Sequence, residues 1–357
     1  MSYPNLPPAI SELLREGTVI PAHPLALTKA RTFDEKRQRR LTQYYIASGA
    51  GGVAVGVHTT QFQIRKPEVN LLEPVLRCAS EQINDLNLQR PFIKVAGIVG
   101  PTSQALREAE LAVKYGYHLG LVSMGGLSDQ SESSLIKRLQ AIAELIPVFG
   151  FYLQPAVGGR LLSYNFWKDA ASIPNMYAIK VAAFDRYKTL DVVRAVCESS
   201  RRDDIALYTG NDDNIVADLL TPYRFNIDGK AVEKKFVGGL LGHWAVWTGA
   251  AVKLLSRIKQ SVDDKSEISE LLSIGVNVTD MNAAIFDSAN AFHGCIPGIH
   301  EVLRRQGLLE GIWCLDPEEK LSKGQLEEID RVYAAYPELT DDQLVKGFLE
   351  RTFSHQL

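Results

Sequence analysis

The sequence predicts an α/β chain, a (β/α)8 TIM barrel with a helical C-terminal extension. Three observations carry that expectation. Short β-rich runs alternate with longer amphipathic stretches, Gly or Pro punctuates nearly every boundary, and the alternation stops near residue 259. Eight strands each followed by a helix is the count of a closed parallel barrel, and the pattern fits the roughly 250 residues such a barrel uses.

The expected strands are 18–22, 52–56, 92–97, 119–124, 148–153, 176–181, 205–210 and 236–242. Charged or amphipathic segments lie between most of them, as at 34–48, 103–115 and 133–145. An open doubly wound sheet is the competing fold. It calls for a Gly-rich phosphate loop after the first strand, and none is present. The barrel is therefore assigned to 1–258 and a helical region to 259–357, with helices expected at 263–274, 280–291, 298–306, 322–333 and 341–353.

Composition narrows the function. With 39 basic and 42 acidic residues, the net charge is -3 and the charges are mixed along the chain. Neither nucleic acid nor an anionic membrane is an expected partner. No apolar run has the length of a membrane span, so a cytoplasmic protein is expected. The cysteines at 78, 197, 295 and 314 are widely spaced without a C-x-x-C pair, which predicts reduced thiols and no structural metal.

In a barrel of this kind the functional groups gather where strands end. Lys180 closes the apolar run from Met176, and an ammonium withdrawn from water there loses part of its basicity, as a Schiff-base lysine must. The alternative is a lysine whose head snorkels to the strand end. Strand alternation groups Val148, Gly150 and Tyr152 on one face, and if that face is the interior, the Tyr152 phenol is placed to relay a proton. Thr59 and Thr60 follow the second strand in a small turn suited to a carboxylate. His58 beside them serves as an acid or base, or hydrogen-bonds its loop. Gly210 and Asn211 line the same mouth, while Asp212 and Asp213 are expected to cap the next helix. Clustered His and Asp ligands for a metal are missing from the strand ends.

Three segments resemble the dihydrodipicolinate synthase/N-acetylneuraminate lyase family of class I aldolase-type enzymes. Gly56-Val57-His58-Thr59-Thr60 is similar to its G-T-T-G-E loop, Phe151-Tyr152-Leu153-Gln154-Pro155 to its Y-N-x-P strand end, and Ala178-Ile179-Lys180 to its G-[IL]-K strand. The resemblance implies a barrel with C-terminal helices, assembled as a homodimer or homotetramer, and an imine between Lys180 and pyruvate or another 2-oxo acid. It makes Tyr152 the proton relay, Thr60 a carboxylate holder and Thr59 the link to Tyr152. No cofactor is implied, because the protonated imine is itself the electron sink.

The chain departs from the pattern in several places. Gln61-Phe62 replaces Gly-Glu, Met124-Gly125-Gly126 replaces P-Y-Y, Val157 stands at the arginine position and Val181 follows the lysine where Glu is frequent. Arg160 is the expected substitute for the missing arginine, with Gln154 and His58 as further polar contacts for a second substrate such as an aldehyde. Dihydrodipicolinate formation itself is not expected. The alternative function is a non-catalytic member that binds a 2-oxo acid or sugar acid as a sensor or structural protein.

Overall fold

The computed structural model describes residues 3–261 and 264–354. Its strands are β1 (Val19–Pro21), β2 (Gly52–Val55), β3 (Ile93–Ile98), β4 (Leu119–Val122), β5 (Val148–Leu153), β6 (Met176–Ala182), β7 (Ala206–Thr209), β8 (Tyr223–Ile227), β9 (Lys230–Lys234) and β10 (Phe236–Leu241). All but β8 and β9 form one sheet in the order β1-β10-β7-β6-β5-β4-β3-β2. A parallel bridge from Ala22 to Ala54 joins its two ends, with the His23 N–H donating to the Ala54 carbonyl at 2.8 Å. This is the expected (β/α)8 barrel.

By packing density the chain groups into two compact units, residues 1–18 with 91–240, and 19–90 with 241–357. In the first unit every residue of β3, β4, β5 and β7 is buried, as in a parallel sheet covered on both faces. Three of its helices start at side-chain caps: Ser131 accepts from the Ser134 N–H, Ser163 from Phe166 and Asp185 from Lys188. Each such cap contributes about 1 kcal/mol.

Sequence analysis did not anticipate the antiparallel hairpin β8–β9, which precedes the last barrel strand. Asp228 (φ 50) and Gly229 (φ 76) make its two-residue turn, the left-handed pair that a tight hairpin requires.

In the second unit the helices expected at 263–274 and 280–291 are one helix, Lys265–Phe286. The run Val276-Asn277-Val278-Thr279 lowers helix propensity, but Leu271, Val278, Met281 and Ile285 lie buried along one face and carry the helix through it. The boundary expected after residue 258 falls within the helix Thr248–Gln260. Asp341, next to the last helix, accepts the Tyr44 hydroxyl at 2.6 Å, the Gly249 N–H at 2.8 Å and the Gln306 amide at 2.8 Å. All four cysteines are free and buried. No described helix is long and apolar enough to cross a membrane.

Candidate active site

β6 pairs in parallel with β5 on one side and β7 on the other, so the side chains in register with Lys180 are Phe151 and Tyr208. In-register neighbours on parallel strands project to one face. The Lys180 ammonium accordingly sits 4.5 Å from the centre of the Phe151 ring, and Tyr208 is buried with its hydroxyl donating to the Leu14 carbonyl at 3.0 Å. Lys180 is only 8% exposed. Burial brings its pKa down from 10.5 to about 8, and the Asp212 carboxylate pulls the other way. Gly210 matters by what it lacks: a methyl there would collide with Cε of Lys180 and come within 2.9 Å of Cβ of Ala182.

Tyr152 is not on this face. It pairs with Val181, its ring packs 5.3 Å from Trp167 on the helix Tyr164–Ala171, and its hydroxyl exchanges hydrogen bonds with the Leu162 backbone at 3.3 and 3.4 Å. The cause is a register slip. Val148 pairs with Met176 but Phe149 with Ala178, leaving Tyr177 as an extra residue on β6. Had the first pairing continued, Tyr152 would lie opposite Lys180; one extra residue puts Phe151 there instead.

Other expected residues are engaged with their own loops. Asn211 is fully buried: its Oδ1 accepts the Phe184 N–H at 3.0 Å and its Nδ2 donates to Asp218 at 2.9 Å and Thr189 at 3.3 Å. Arg160 donates to the carbonyls of Leu127 (2.6 Å) and Gln130 (2.9 Å), clipping the loop after β4 to the loop after β5. Gln154 is buried, and its carbonyl accepts from the N–H of Gly159 at 3.0 Å. Asp212 and Asp213 do not cap the helix Ile215–Leu220; Asn214 stands at the cap.

In the second unit, Thr59 and Thr60 form a buried turn over His58–Thr60. The Thr59 hydroxyl donates to the Ala22 carbonyl at 2.8 Å, not to a tyrosine. The Thr60 hydroxyl donates to the His23 carbonyl at 2.7 Å and accepts the N–H groups of Gly56 and Val57 at 3.0 and 3.2 Å. His23 below them is held neutral, its pKa lowered to about 4 by burial. His58 is half-buried, its ring 5.9 Å from that of Phe62.

The model of the Dihydrodipicolinate synthetase family matches residues 16–222, more than half of the chain. The chain belongs to this family. It is 30% identical over 146 residues to 4-hydroxy-tetrahydrodipicolinate synthase of Methanospirillum hungatei, a match covering 40% of this chain and about half (48%) of that relative. Among solved structures, dihydrodipicolinate synthase from Oceanobacillus iheyensis superposes with a TM-score of 0.71 at 17% identity, covering 92% of this chain and 99% of that one. N-acetylneuraminate lyase from Fusobacterium nucleatum, complexed with pyruvate, gives 0.69 at 18% identity, covering 91% and 99%. At these identities the structural likeness speaks for the fold.

Within the dihydrodipicolinate synthetase family pattern, the departures have structural substitutes. Gln61, in place of a glycine, keeps a left-handed backbone (φ 67), and its Oε1 accepts the Leu315 N–H at 2.6 Å. Gly125 and Gly126 stand in place of the aromatic pair: a methyl on Gly125 would come within 2.6 Å of the Gly158 carbonyl, and Gly126 has a left-handed backbone (φ 71). Phe151, set against Lys180, and Asp212, whose charge acts on it, were missed as its neighbours by sequence reasoning. An Asp two residues past a strand-end glycine was a usable signal for the second, whereas the slip that selects Phe151 leaves no mark in the sequence.

Proposed function

We propose that the chain is a Schiff-base, class I aldolase-type lyase that acts on pyruvate or another 2-oxo acid through Lys180. The observation that carries this reading is the buried strand-end lysine with its pKa near 8. At pH 7 about one such lysine in ten is neutral, against about one in three thousand for an ordinary lysine. Membership of a family whose fold is that of Schiff-base aldolases supports it.

The neutral amine adds to the substrate C2 carbonyl, and the carbinolamine expels water to give a protonated imine. That cation withdraws electrons, so C3 releases a proton and the resulting enamine attacks an aldehyde carbon; hydrolysis then frees the product and restores the lysine. Cleavage runs the same steps in reverse. Thr59 and Thr60 are the proposed carboxylate-binding turn, an assignment that rests on the family resemblance, and His58, Gln154, Gly210 and Asn211 are proposed as further polar contacts of the substrate. Asp212, the carboxylate that acts on the Lys180 ammonium, is proposed as the proton relay in place of Tyr152, whose hydroxyl is bonded to the Leu162 backbone. No further cofactor is called for by this chemistry.

The orientation of Tyr152 also favours a second reading, a member that binds a 2-oxo acid or sugar acid without turning it over. Incubation with pyruvate and borohydride, followed by intact mass and peptide mapping, separates the two. The lyase reading expects a reduced adduct on Lys180; pyruvate binding detected by calorimetry without any adduct supports the second.

A further inference from the structure

Asp218 is fully buried on the short helix after β7, and its carboxylate collects donors from five side chains. One oxygen accepts from the Thr209 hydroxyl at 2.7 Å and the Asn211 amide at 2.9 Å. The other accepts from Arg186, from the Asn214 amide at 3.0 Å and from the Tyr223 hydroxyl at 3.2 Å. Such a set satisfies a buried carboxylate without leaving a lone pair unmatched. What it holds is the wall beside Lys180. Thr209 ends β7, Gly210 follows with no room for a side chain against the Lys180 stem, and Asn211 ties the same loop to Phe184, whose backbone is left-handed (φ 52) in the loop after β6.

Resting on the reading of Lys180 as the reactive amine, we infer that Asp218 is a positioning residue: it locks the loops after β6 and β7 around Lys180 and thereby keeps water from its ammonium. Removing that lock admits water, and the lysine becomes a more ordinary, less reactive base. The groups beside Lys180 are Tyr208, in register with it on β7, and Phe151 from β5, and the Asp212 carboxylate of the β7 loop acts on it through its charge. Tyr208 stays protonated because burial raises its pKa, so Asp212 is the charged neighbour whose placement the lock also sets.

The test is the pH dependence of Lys180 labelling by formaldehyde and cyanoborohydride, read by peptide mapping. In the wild type the expected labelling midpoint is near pH 8. Asp218→Asn is expected to stay folded by circular dichroism, move the midpoint up by about one pH unit and slow labelling at pH 7 by about tenfold. Glu301→Gln, which weakens another buried carboxylate held by Arg304 and Arg305, is the stability control and leaves the midpoint in place. Should Asp218→Asn not fold, Arg186→Gln removes the charge partner, whose side chain is 41% exposed, and shifts the midpoint the same way by less. A midpoint unmoved in the folded variant, or moved equally by Glu301→Gln, overturns the inference. Because formaldehyde reports the amine directly, a failure to trap pyruvate bears on the proposed function and not on this assignment.

Discussion

A lysine shielded from water carries a free-energy cost in the folded protein that returns as reactivity near neutral pH, and both follow from one lowered pKa. The folded chain holds the Lys180 proton less tightly than the unfolded chain does. Between the folded value of about 8 and the ordinary 10.5, the unfolded state therefore binds more protons, and stability rises with pH across that window. In denaturant titrations from pH 7 to 11, the stability difference between wild type and Lys180→Met should change by on the order of 3 kcal/mol in favour of wild type. A difference that stays flat across this range would mean that Lys180 has an ordinary pKa. The comparison is insensitive to the constant effect of leaving Asp212 without its cation.

At the level of elements, the barrel strands were readable because buried parallel strands are apolar runs with Gly or Pro at their ends. The register between β5 and β6 was not readable, since a single extra residue, Tyr177, turns the face of every later residue on β6 without changing the hydrophobic pattern. That is why Lys180 was found from sequence and its neighbour was not: motif spacing pointed to Tyr152, geometry gives Phe151. The Thr59–Thr60 turn was legible as a turn, but its bonds to Ala22 and His23 depend on a segment some 37 residues earlier. The Asp228-Gly229 turn was a legible hairpin signal that the eight-strand count displaced. The orientation of Tyr152 makes its own prediction. Tyr152→Phe should lower stability by about 1 kcal/mol through loss of the Leu162 bonds and leave pyruvate trapping within about twofold of wild type. A tenfold slower trapping rate would return the phenol to the reaction.

Across the whole molecule, the fold places its costs in a few buried polar hubs and leaves the rest to apolar packing. Asp341 is one of these, joining Tyr44, Gly249 and Gln306 within the second unit. Asp341→Ala should destabilise the protein by about 2–4 kcal/mol, because three buried donors lose their acceptor together; thermal unfolding that matches wild type would show that these bonds are replaced by water. Family membership supports the proposed class of chemistry, and the proposal assigns it to Lys180, a buried lysine of β6. The most direct test is borohydride reduction in the presence of pyruvate, with wild type and Lys180→Met in parallel and the pH varied from 6 to 10. A single reduced adduct mapping to Lys180, absent from Lys180→Met and forming faster as pH rises toward 8, is the expected result. No adduct with pyruvate or with a panel of 2-oxo acids and aldehydes, or an adduct that persists in Lys180→Met, would contradict the account.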